Sequence, residues 1–200
     1  MKLAVVTAGL SVPSSTRLLA DRLAAATVNG VAAGSPVDVE VVELRDIALD
    51  VTKNLLTGFP SPDLRAAIET VTGADALIAV TPVFTAGYSG LFKSFFDVLD
   101  AESLVGKPVL LGATGGTERH SLVLDYQLRP LFGYLKADPV ATGVYAASSD
   151  WGSGEGALQR RIERAGAELA SLAAGRPAVA AAPSFVPFDQ LLAEVSAQDR

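Results

Sequence analysis

Five short runs rich in branched apolar residues recur along the chain, at Leu3–Thr7, Val37–Val42, Ala76–Val80, Pro108–Ala113 and Val140–Tyr145. The run Ala76–Val80 is apolar without interruption, which suits a strand buried on both faces. Between and after these runs, apolar side chains fall at helical spacing. Leu18, Leu19, Leu23 and Ala26 mark one helix, Leu64, Ile68 and Val71 a second, and Leu91, Phe92, Phe95, Phe96 and Leu99 a third. Leu124, Leu128, Leu131 and Leu135 set a fourth, and Leu158, Ile162, Ala165, Leu169 and Leu172 a fifth. Strand and helix therefore alternate five times with short connections. Such a chain is expected to fold as α/β, with a five-stranded parallel sheet, right-handed crossovers and helices on both faces.

Local punctuation sharpens several boundaries. Ser61-Pro62 pairs an N-cap residue with proline at the first helical position, and Gly73 closes that helix. Between Arg45 and Pro60 the pattern weakens, and a loop carrying a short turn of helix is expected. Pro130 interrupts the fourth helical pattern, so a kink or break is expected near Tyr126 to Arg129. Ser148 to Gly156, with Trp151 and three glycines, reads as a loose connection. The polar and charged residues Gln159, Arg160, Arg161, Glu163 and Arg164 read as the wet side of the last helix.

Composition removes whole classes of chemistry. Two hundred residues suit one domain with a full core, expected over residues 1–175. The absence of cysteine excludes disulfides and thiolate chemistry, and a single histidine excludes a multi-histidine metal site. The net charge is −6 with no basic run, so no nucleic-acid or anionic-membrane partner is expected. No apolar run approaches the length that spans a bilayer. The apolar start is too short for a signal peptide and reads as a first strand, which makes the cytoplasm the expected location. A local anion site built from backbone amides stays open.

Three loops leave strands at one sheet edge, the carboxyl edge where open α/β sheets take ligands. The first, Ala8-Gly-Leu-Ser-Val-Pro-Ser-Ser-Thr16, delivers hydroxyls and free amides to a helix N-terminus. There the macrodipole favours an anion by roughly 0.3–1 kcal/mol. The loop is neither a Walker motif nor Gly-x-Gly-x-x-Gly. Helix capping by Ser14 or Ser15 accounts for one hydroxyl and leaves the others without a reason. The second loop is Thr81-Pro-Val-Phe-Thr-Ala-Gly-Tyr88. Pro82 has no amide donor and Gly87 permits unusual dihedrals, so the remaining amides, Phe84 and Tyr88 can face a flat ligand. An ordinary turn whose two aromatics fill core is the alternative. In the third, Thr114-Gly-Gly-Thr117, the glycine pair lets the backbone approach a ligand, and a tight turn alone would want the same glycines.

Taken in order, Gly9 to Arg17, Thr81 to Lys93, and Thr114-Gly-Gly with Arg119-His120 and Leu128-Arg-Pro-Leu131 resemble the NAD(P)H-dependent FMN reductases, a flavodoxin-like family. The likeness is greatest to the small reductases that supply reduced flavin to two-component monooxygenases. It implies a flavodoxin-like three-layer sandwich with strand order 2-1-3-4-5. It also implies FMN as prosthetic group or substrate, NADPH or NADH as hydride donor, a homodimer or homotetramer, and a partner monooxygenase receiving FMNH2. Carried over by position, Ser11, Ser14, Ser15, Thr16 and Arg17 would surround the FMN phosphate. Pro82, Val83, Phe84, Thr85, Ala86, Gly87 and Tyr88 would line the isoalloxazine ring, and Thr114, Gly115 and Gly116 would close its other edge. Hydride transfer between stacked rings needs no protein nucleophile, so no catalytic residue is assigned and His120 reads as a cap or contact. Two other functions remain: a reductase of quinones, azo dyes or metal oxyanions on bound FMN, and a non-enzymatic flavodoxin-like electron carrier.

Residues 176–200 follow the last helix as a C-terminal tail. Phe185, Phe188, Leu191 and Leu192 there need a surface to bury against, and a subunit interface is expected.

Overall fold

A computed structural model describes residues 1–152 and 155–175. The expectations for the tail, including Phe185, Phe188, Leu191 and Leu192, lie outside the described residues. The strands are Lys2–Thr7 (β1), Asp38–Glu43 (β2), Ala76–Phe84 (β3), Gly87–Tyr88 (β4), Pro108–Gly115 (β5), Asp138–Pro139 (β6) and Val144–Ala147 (β7). The helices are Ser15–Gly30 (α1), Ala48–Thr57 (α2), Pro62–Gly73 (α3), Gly90–Asp97 (α4), Arg129–Tyr134 (α5) and Glu155–Ala174 (α6). The sheet runs β2-β1-β3-β5-β6, with β7 also paired to β5 and β4 folded antiparallel onto β3. With that hairpin set aside and β6 and β7 counted as one position, this is the flavodoxin-like order 2-1-3-4-5.

Side-chain alternation along each strand explains the two covering layers. Ala4, Val6 and Ala8 of the first strand and its exit join Leu77, Ala79, Val109 and Leu111 under Leu64, Val71, Phe92, Phe96 and Phe132. Leu3 and Val5 point the other way, with Ile78, Val80 and Leu110, against Leu19 and Leu23 of α1 and Leu158, Ile162 and Leu169 of α6. Burying side chains of this size contributes about 1.5–3 kcal/mol each. Within α1, Leu18 of the expected apolar face is instead exposed, and Thr16, Ala20 and Thr27 take inward positions.

Helix starts follow local chemistry. The Ser61 hydroxyl accepts from the Leu64 amide at 3.2 Å, with Pro62 in the first turn, as the sequence predicts. Three sequence expectations need correction. Residues 45–60 are mostly helical: a 3₁₀ turn at Leu44–Ile47 leads into α2. The inward residues Leu44, Ile47, Val51 and Asn54 do repeat at helical spacing, but the exposed Leu49, Leu55 and Leu56 blur the period. The expected break before Pro130 is a π-helical stretch, Leu124–Leu128, that runs directly into α5.

Val140–Tyr145, the third correction, is not one strand. Its middle leaves the ladder, and side chains satisfy the freed backbone groups. Arg129 donates to the carbonyls of Val140 (2.9 Å) and Ala141. Glu168 accepts from both the amide and the hydroxyl of Thr142, each at 2.7 Å.

Candidate functional site at the carboxyl edge

The first loop is built around the start of α1. Ser14 is the N-cap, its hydroxyl accepting from the Arg17 amide at 3.2 Å. The first intrahelical bond runs from Leu18 to the Ser14 carbonyl, so α1 itself offers no partner to the amides of Ser15 and Thr16. Ser11 and Ser15 are exposed, Ser14 is half-buried and Thr16 is buried. Capping thus accounts for Ser14 alone among the four hydroxyls.

Thr7, at the end of β1, follows Leu3 and Val5 on the α1 face of the sheet. It is only 1% exposed, and its hydroxyl has no hydrogen-bond partner among the described residues. A buried hydroxyl left unpaired costs about 1–3 kcal/mol.

Two arginines frame the loop. Arg17 pairs with Asp21 at 2.7 Å and with Glu43. The hydrogen bond that Arg17 donates to Asp21 leads in raising the Arg17 guanidinium above its usual pKa, against the lowering effect of burial, and the Glu43 charge adds to the rise. Arg45 pairs with Glu43 at 2.6 Å and donates to the Ser11 carbonyl at 3.0 Å. Arg45 thus fixes the loop backbone, a role hidden in sequence because residues 45–60 show no clear pattern there.

The second loop is a hairpin rather than an irregular turn. β3 continues through Phe84, and Gly87 and Tyr88 fold back against Phe84 and Val83. The two turn residues, Thr85 (φ 48°) and Ala86 (φ 67°), both have positive φ, as a type I′ turn requires. Sequence reasoning placed the unusual dihedral at Gly87, which instead sits in the short ladder. Left-handed backbone at a residue bearing a Cβ costs on the order of 1–2 kcal/mol, more at the β-branched Thr85. Phe84, Thr85 and Ala86 are exposed, Val83 and Gly87 half-buried, and Pro82 buried opposite Thr114 in the β3–β5 ladder.

The two aromatics divide the expected roles. Phe84 stays exposed, whereas the half-buried Tyr88 leans on Phe92, ring centroids 6.1 Å apart. Phe92 continues into Phe96 at 4.7 Å, and Phe96 meets Phe132 at 4.9 Å. The buried Thr81 hydroxyl accepts from the Ser89 amide at 3.0 Å, tying the strand to the start of α4. Gln127, from the π-helical stretch, donates to the Ala86 carbonyl at 3.1 Å and accepts from the Tyr88 amide at 3.4 Å.

The third loop meets the first directly. The hydroxyls of Thr114 and Thr16, both buried, lie 2.9 Å apart. A Cβ at Gly115 would stand 2.1 Å from the Tyr145 hydroxyl, so that glycine is demanded by Tyr145, while Gly116 faces open space. The Tyr145 hydroxyl donates to the Thr117 carbonyl at 2.7 Å and fixes the loop. Burial raises the Tyr145 pKa, and the charges of Asp150 and Glu118 push the same way. Tyr145 was legible in sequence as the end of the last strand, at the same sheet edge. Gln127 carried no such signal.

The fifteen expected residues therefore collect on one edge, through the Thr16–Thr114 contact and the Pro82–Thr114 pairing. Hydroxyls and free amides occupy one end, and an exposed hairpin with Phe84 stands at the other. His120 is exposed in a 3₁₀ turn, Glu118–His120. Among the described residues no cluster of acidic and histidine side chains could hold a metal, and no helix is long and apolar enough to cross a membrane.

Residues 1–152 match the family model described as NADPH-dependent FMN reductase. An FMN reductase (NADPH) of Pseudomonas aeruginosa is 39% identical over 178 residues, covering 88% of this chain and 94% of the relative. The NADH-dependent FMN reductase SfnF of Pseudomonas fluorescens is 38% identical over 151 residues, covering 76% and 79%. The crystal structure of an oxidoreductase from Corynebacterium diphtheriae matches with a TM-score of 0.85 at 46% identity, covering 88% of this chain and 98% of that one.

Proposed function

The chain belongs to the NADPH-dependent FMN reductase family, and from that premise we propose that it transfers a hydride from NADPH or NADH to FMN and passes FMNH2 to a flavin-dependent monooxygenase. The observation that carries the reading is the joined carboxyl edge, where a helix N-terminus with free amides meets the Thr114 loop through Thr16.

The residues present fit FMN. The amides of Ser15 and Thr16 and the hydroxyls of Ser11 and Ser15 suit a phosphate. Ser14 holds the helix start in place, and Arg17 adds a cation that already has two carboxylate partners. The hairpin from Pro82 to Tyr88 offers Phe84 and backbone groups to the ring, and Gly116 leaves room at its other edge. Bound FMN supplies the hydride acceptor, ring atom N5. The chain's own work is then to orient two rings and exclude water during the hydride transfer, which itself requires no acid or base; the proton that completes FMNH2 comes from solvent. His120, exposed on its turn, is given no step.

A homodimer or homotetramer belongs to the same reading. The exposed Leu122, Tyr126 and Tyr134, on the segment from the 3₁₀ turn through α5, supply apolar surface for a second subunit.

A steady-state assay with NADPH and NADH against FMN, FAD and riboflavin tests the function. FMN should support rapid nicotinamide oxidation and should outperform riboflavin, because only FMN carries the phosphate that the α1 terminus rewards. His120→Ala should keep most of the turnover. Oxidation no faster with FMN than without added flavin overturns the proposal.

A further inference from the structure

The hairpin that faces the ring carries an unresolved local conflict. A type I′ turn favours Asn-Gly, yet Thr85 and Ala86 occupy its two left-handed positions and the neighbouring glycine is one residue too late. Local preference therefore works against this turn, and something outside the hairpin must hold it. Gln127, some forty residues away in sequence, brackets it with one carboxamide. Its Nε2 donates to the Ala86 carbonyl at 3.1 Å, and its Oε1 accepts from the Tyr88 amide at 3.4 Å. The space for that carboxamide exists because residue 87 is glycine: a Cβ there would stand 3.0 Å from Oε1. The opposite side of the hairpin is seated on Phe92 through Tyr88.

We infer that Gln127 is the positioning residue of the flavin site, its carboxamide holding the Thr85–Ala86 turn in the left-handed conformation that presents the hairpin to the ring. The inference rests on the FMN reading of the carboxyl edge. It concerns the ring alone, since Gln127 makes no contact with the Ser11–Arg17 loop in the hydrogen bonds described.

Fluorescence titration with FMN and riboflavin, without nicotinamide, provides the test. Gln127→Ala and the near-isosteric Gln127→Met should each weaken both flavins about tenfold, the effect of one or two net hydrogen bonds, and leave the FMN-to-riboflavin ratio unchanged. The rescue is Thr85→Asn with Ala86→Gly, which makes the turn left-handed by its own preference. In that background the loss on removing Gln127 should shrink to about twofold, the scatter of independent sites. Undiminished binding in both Gln127 variants overturns the inference. So does a loss of equal size with and without the Asn-Gly turn, or a loss that tracks a falling melting temperature. A wild-type protein that binds neither flavin sinks the FMN reading itself, and this inference with it.

Discussion

At the amino end of the sheet a cavity of about 670 Å³ opens beside Gly30, Val31, Val105, Pro108, Ala173 and Ala174, whereas the carboxyl end holds three tightly tied loops. Its charged neighbours are already paired. The Met1 ammonium donates to Pro36 at 2.9 Å, Asp75 accepts from the Lys2 amide at 2.7 Å, and the buried Lys107 ammonium donates to the carbonyls of Thr72 (3.2 Å) and Ala74. The carboxyl end keeps groups in reserve: the two helix-terminal amides of Ser15 and Thr16 and the exposed hydroxyls of Ser11 and Ser15. Empty volume alone does not make a polar ligand site. Donors held in place without a protein partner do, because a polar ligand must replace the hydrogen bonds it leaves in water.

Substitutions at the two ends should separate accordingly. Phe92→Ala, which removes the seat of Tyr88 and one ring of the aromatic chain, should cost about 3–5 kcal/mol in urea denaturation and weaken FMN as well. Gly115→Ala drives a methyl group into the Tyr145 hydroxyl and should cost about 1–3 kcal/mol. Adding Tyr145→Phe should recover part of that loss, and no recovery would show that the crowding lies elsewhere.

Thr16→Val leaves the buried Thr114 hydroxyl unpaired, at a cost of about 1–3 kcal/mol, whereas Thr16→Val with Thr114→Val should be closer to the wild type. At the other end, Ser171→Leu places an apolar side chain at the cavity wall. Its effect should stay within about 0.5 kcal/mol, with FMN affinity unchanged. A marked loss of flavin binding there would break the contrast between the two ends.

The smallest effect is confined to alkaline solution. Tyr145 is neutral when protonated, and burial raises its folded pKa above the ordinary 10.0. Above pH 10 the folded state therefore keeps a proton that the unfolded chain has lost. The stabilisation is complete below pH 10 and disappears as pH rises through the folded pKa. Melting temperatures taken from pH 9 to 11 should fall less steeply in Tyr145→Phe than in the wild type.

The amino-acid pattern determined the architecture and the sheet edge that carries the candidate site. The runs at Leu3–Thr7, Ala76–Val80 and Pro108–Ala113 are strands because uninterrupted apolar residues must be buried on both faces, and alternation with helices then dictates a parallel sheet whose carboxyl edge carries the loops. The serine-rich start of α1 and the Thr81–Tyr88 stretch were legible for the same local reason. Contacts distant in sequence decided the rest. The turn at Thr85 and Ala86 opposes local preference and is bracketed by Gln127, Gly115 answers to Tyr145, and the middle of the last strand is given over to Arg129 and Glu168. Each is a hydrogen bond or a steric limit between different segments, from 11 to 41 residues apart, which no periodicity within one segment encodes, so only the tertiary structure could settle them.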